Sequence, residues 1–124
     1  MKAKPIQVTL MIDGKEKVFT RHFVKARIHR KALEMEKEFI EKEATILEAL
    51  DARIALLCEA FDNEFTADQV EEGLNAIGIQ DTWYDVINVG ILGQPTREEL
   101  EKREKLMGKY LQEQKKLQKK EKEE

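Results

Sequence analysis

The chain has 124 residues, 38% of them charged, and a formal net charge of −3, enough for one domain and a tail. Its one cysteine, Cys58, excludes an internal disulfide, and the absence of serine excludes serine nucleophiles. No apolar run approaches the roughly 18 residues of a membrane span, so a soluble intracellular protein with no membrane contact is expected.

The small net charge hides a gradient. Residues 1–31 hold nine Lys/Arg against Asp13 and Glu16. Residues 54–96 hold eight acids and no Lys or Arg, together with most of the large apolar side chains of the second half. Such a dipolar chain suits charge-steered contact with a partner or with itself. It does not suit nucleic acid, which calls for a net basic domain.

Ile6, Val8, Leu10 and Ile12 alternate with polar or smaller residues, the period of a half-buried strand. Asp13-Gly14 is a two-residue turn signal, and Val18, Phe19, Thr20, Phe23 and Val24 form a return strand. A two-residue loop sets Leu10 opposite Lys17. A lone hairpin is marginal in water, so its apolar face must pack on helices.

Residues 26–43 read as a helix with Ile28, Ala32, Leu33, Met35, Phe39 and Ile40 near one face. Residues 44–61 read as a second, with Ile46, Leu47, Leu50, Ile54, Leu57, Cys58 and Phe61 in one broad stripe; a break is expected near residues 43–45. Thr66 and Gln69 are spaced as a capping box for a short helix to Ile77, which Gly78 would end in a left-handed conformation. Asp81 is a candidate cap for another short helix over residues 82–89. Thr96 and Glu99 begin a last helix of low apolar content, expected to fray beyond Leu111. The fold class is α+β. An N-terminal β-hairpin packs on a mainly α-helical body over residues 1–96, and residues 97–124 form a charged helix or partly disordered tail.

No catalytic, metal or cofactor site is expected. Cys58 lies on an apolar stripe, where a thiol is inert. His22 and His29 match no ligand spacing. Asp62, Glu64, Thr66 and Asp68 alternate like the start of a calcium loop, but Ala67 and Gly73 stand where glycine and glutamate are required. Residues 67–89 resemble a helix-turn-helix, yet the second helix offers phosphate and base edges no positive charge.

The order of parts carries a resemblance. A hairpin with the return DGKEKVFTRHFVKAR leads into RKALEMEKE; later come FTADQVEEGL and DTWYDVINVGI, then a charged tail. Over about residues 6–92 the chain resembles the tail assembly chaperones of long-tailed phages (siphoviruses) and prophages of Gram-positive bacteria. The resemblance implies a small non-enzymatic protein of the host cytoplasm, absent from the mature virion, that binds the tape measure protein and helps recruit the major tail protein. It also raises a frameshifted longer form, with Lys115-Lys116 and Lys119-Lys120 as candidates for A-rich codons, although plain lysine use in a soluble tail explains them better. The alternative is a bacterial protein-binding adaptor or a transcriptional regulator with a helix-turn-helix-like pair.

Two surfaces follow as expectations. Trp83, Tyr84, Ile87, Ile91 and Leu92 form an aromatic and aliphatic cluster that would anchor a client; the competing reading is that they close the core. Lys15, Lys17, Arg21, Arg27 and Arg30 would meet Glu71, Glu72, Asp81 and Asp85 of another copy in a weak, head-to-tail homo-oligomer.

Overall fold

A computed structural model describes the backbone of residues 4–123 and the side chains of residues 4–118. Lys2 and the side chains of Lys119 and Lys120 fall outside the described residues. The chain divides into two compact units between Gln94 and Pro95.

In the first unit, β1 (Ile6–Ile12) and β2 (Lys15–Arg21) pair antiparallel around Asp13 and Gly14, both at positive φ. Leu10 does sit opposite Lys17. The register puts Ile6, Val8, Leu10 and Phe19 on one face, where all four are buried. Lys17 shares that face at the open end, with its ammonium 5.2 Å from the centre of the Phe19 ring and its head in solvent. The return strand stops at Arg21, short of Phe23 and Val24, and Phe23 is exposed.

Helix α1 (Ala26–Glu41) and helix α2 (Ile46–Ala60) follow, joined by a tight turn. Phe39 O accepts from Ala44 N at 3.3 Å, and Glu43 adopts φ 47°, a left-handed C-terminal motif without its usual glycine. Thr45 caps α2, its hydroxyl accepting from Glu48 N at 3.1 Å. Helix α2 ends the same way as α1: Asn63 N donates to Cys58 O at 2.9 Å, with Asp62 at φ 50°.

The capping box at Thr66 is present, with Gln69 N on Thr66 Oγ1 at 3.2 Å and Thr66 N on Gln69 Oε1 at 2.8 Å. Helix α3 (Ala67–Gly73) is shorter than its apolar pattern predicts. Gly73 runs close against β1: a Cβ there would lie 2.6 Å from Met11 O. Beyond it the Asn75 side chain accepts from Ile77 N at 2.9 Å, a local turn that competes with helix, and Ile77 is exposed.

Gly78 is left-handed as expected, but it stands before the next helix rather than after the last. Helix α4 (Ile79–Trp83) therefore begins ahead of Asp81, which lies in its first turn instead of capping it. It runs directly into a π-helical segment, Tyr84–Ile91. This segment and α3 both pack on β1.

The core lies where β1, α1, α2 and the π segment converge. Phe65 packs edge-on against Phe19 at 4.9 Å between centroids and lies 5.3 Å from Phe61. His29 Nδ1 donates to Ile91 O at 2.9 Å and ties α1 to the π segment. The fold class is α+β, as the hairpin followed by helices requires.

The second unit is α5 (Arg97–Glu123), which begins with the expected capping box and continues past Leu111. Leu106, Met107, Tyr110 and Leu111 form an exposed apolar patch along it.

Candidate protein-binding surface

The cluster expected to anchor a client is largely interior. Trp83, Ile87 and Ile91 are buried, and Tyr84 and Leu92 are half-buried. The cause is the geometry of the segment. Trp83, Ile87 and Ile91 recur every four residues, and the wide turns of a π helix keep that spacing on one face, here the face toward β1 and α1. Gly90 lets it approach, since a Cβ there would fall 2.5 Å from the Ile6 side chain.

The charged residues expected to join copies take several places. Lys15 and Lys17 are exposed on β2, Arg27 on α1, Glu71 and Glu72 on α3, and Asp81 and Asp85 on the run that follows. Arg30 pairs with Glu34 at 3.7 Å. Arg21 is half-buried and committed within the monomer: it donates to Phe61 O at 2.9 Å and pairs with Glu64 at 2.9 Å and Asp62 at 3.4 Å.

Apart from Val18 and Ile77, the exposed aliphatic residues of this unit gather on a different surface. The apolar stripe of α2 is buried from Ile54 onward, but toward the turn it opens: Leu50 is half-buried, Leu47 is 67% exposed and Ile46 88%. Across the turn, Ile40 of α1 is 80% exposed, and Leu33, on the same helix face two turns earlier, is 52% exposed. Exposed single leucines are ordinary. Three aliphatics within eight residues, bracketing one turn, are not.

This end is also acidic. Residues 33–51 hold seven acids and only Lys37 and Lys42 as bases. The two lysines pair within α1 or at its end, Lys37 with Glu41 and Lys42 with Glu38, each near 3.8 Å or less. Glu36, Glu43 and Asp51 make no ion pair among the described residues. Further from the turn, a groove of about 280 Å³ between α1 and α2 has Met35 and Leu56 in its lining with Glu34, Glu38 and Glu59, and there Lys31 neutralises Glu59 at 2.8 Å. Arg53, over the Phe39 ring at 5.2 Å, is the nearby base on α2.

The sequence held a signal for this surface that amphipathic reading passed over. Ala32-Leu33, Phe39-Ile40 and Ile46-Leu47 are apolar doublets at seven-residue intervals. A single core-facing stripe needs one member of each; in α1 the second member, Leu33 or Ile40, faces out.

Chemistry of other kinds finds little support. Cys58 is buried, and burial pushes its thiol up, with the Glu59 carboxylate adding to the effect. Among the described residues no group of three His, Cys, Asp or Glu could hold a metal ion, and no helix is long and apolar enough to cross a membrane.

A family model described as phage tail chaperone protein matches residues 3–124. The chain belongs to that family. No curated protein and no solved structure matches it. For a phage tail chaperone protein the relevant partners are proteins of tail assembly. The aliphatic, acid-rimmed end of α1–α2 is the feature of the first unit most suited to meeting one.

Proposed function

We propose that this tail chaperone binds the tape measure protein, keeps it soluble in the host cytoplasm, assists tail tube assembly with the major tail protein, and leaves before the virion is complete. The supporting observation is the exposure of Ile40, Ile46 and Leu47 on a unit whose other large side chains mostly pack well. A soluble monomer gains nothing from such a patch, whereas a protein that must cover an apolar client does. The test is co-expression. The tape measure protein should be recovered soluble, and in complex, only when this chain is present; equal solubility without it overturns the proposal.

The same reading includes weak head-to-tail self-association. Lys15, Lys17 and Arg27 make no ion pair among the described residues, and neither do Glu71 and Glu72. Exposed pairs between copies are worth about 0–1 kcal/mol each, so assembly should be weak without client and dissolve as salt rises. Sedimentation across salt concentrations checks this; a salt-indifferent closed dimer counts against it.

A further inference from the structure

Accepting that the protein binds a client, we propose what part of the client it takes: a basic amphipathic helix, docked on the turn end of α1–α2. The aliphatic stripe of that helix would cover Ile40, Ile46 and Leu47, and its lysines and arginines would meet the acids around them.

Three observations converge on this occupant. The stripe of α2 is continuous in sequence from Leu47 to Phe61, but it is covered only in its C-terminal half. The open half spans about one to two turns, the footprint of a helix laid across the end rather than of a loop or small ligand. Next, Glu36 lies one turn from Ile40 on α1, and Asp51 one turn from Leu47 on α2. With Glu43 in the turn, they frame the aliphatic residues with carboxylates that make no ion pair among the described residues. Finally, an acidic rim repels anionic lipid, so the same apolar patch is poorly suited to a membrane surface. A helix presenting apolar residues on one face and lysine or arginine at its edges satisfies both parts of the surface at once.

The experiment uses the full-length protein and two labelled synthetic peptides of about 18 residues. Both repeat leucine at helical spacing; one has lysine at the remaining positions, the other glutamate. Fluorescence anisotropy should show binding of the lysine peptide alone, weakening as salt rises. The Ile46→Asp/Leu47→Asp variant should lose affinity by about tenfold or more with an unchanged circular dichroism spectrum. Because these two side chains are exposed, the variant is expected to fold. The Glu36→Lys/Asp51→Lys variant should lose the lysine peptide and gain the glutamate peptide, a reversal that a merely sticky patch would not give.

Binding of both peptides alike, or indifference to both variants, overturns the inference. So does a dimer of the protein alone that Ile46→Asp/Leu47→Asp dissolves, because a second copy would then be the occupant. The co-expression test remains separate: if Ile46→Asp/Leu47→Asp still solubilises the tape measure protein, this docking site falls while the chaperone reading stands.

Discussion

Arg21 Nη2 donates to the Phe61 carbonyl at 2.9 Å, joining the last residue of β2 to the end of α2. That carbonyl belongs to the residue closing a helix, where positive charge is favoured, and it also accepts from Glu64 N at 3.1 Å. The same guanidinium reaches Glu64 and Asp62, so one side chain fastens the hairpin to the helix and to the turn after it. Arg21→Met should destabilise by about 1–2 kcal/mol, most of it from the hydrogen bond, because the ion pairs are partly exposed. Arg21→Lys should recover less than half of that, since an ammonium lacks the planar fork. Urea denaturation measures both; full recovery by lysine would reduce the contact to charge alone.

Two glycines are required by close approach rather than by turn geometry. A Cβ on Gly73 meets the backbone oxygen of Met11, which cannot swing away, whereas a Cβ on Gly90 meets a methyl of Ile6. Gly73→Ala should therefore cost about 1–3 kcal/mol, and Gly90→Ala less. Thermal melts of the two variants side by side give the order.

Trp83 is buried and its indole N–H has no hydrogen-bond partner among the described residues. Its emission should be blue-shifted and shift red on unfolding. Trp83→Ala should cost about 3–5 kcal/mol or unfold the protein. Trp83→Phe should cost much less, because it retains a ring and removes a buried, unsatisfied donor. Equal costs would mean that the indole finds a partner in solution.

Cys58 gives a pH dependence with a definite sign. Burial raises its pKa in the folded protein, so the fold favours the thiol over the thiolate. This contribution is fully present below the unfolded pKa and is lost as pH rises through the folded one. Stability should fall on the alkaline side of the ordinary thiol range, less so in Cys58→Ala, whose smaller side chain lowers stability at every pH. Native-state reaction with a thiol reagent should be slow and accelerate in denaturant.

Several features could be read from residues alone because their causes are local. Asp13-Gly14 sets the hairpin register, and Thr66 with Gln69 sets a helix start; each depends on atoms a few positions apart. The end of α3 could not be read that way, because it depends on Met11, more than sixty positions earlier in the chain, and on Asn75 diverting its own backbone. The fate of the apolar doublets was equally hidden. Whether Ile40 or Leu47 is covered depends on how far the body extends along α1–α2, and no periodicity within a helix reports that. The π segment shows the opposite case: the four-residue spacing of Trp83, Ile87 and Ile91 was visible, but it reads as interior only once β1 lies beside it.

Glu43 occupies a left-handed position that glycine would hold more comfortably. A glycine would also leave the joint supple. With glutamate there, and Thr45 clasping the next helix, the shape between Ile40 and Ile46 is set during folding. Whatever settles on this end meets a surface that has little freedom left to lose, and the entropic cost of docking falls mainly on the newcomer. Replacing Glu43 by glycine would then relieve strain in the isolated protein while loosening its grip on a partner.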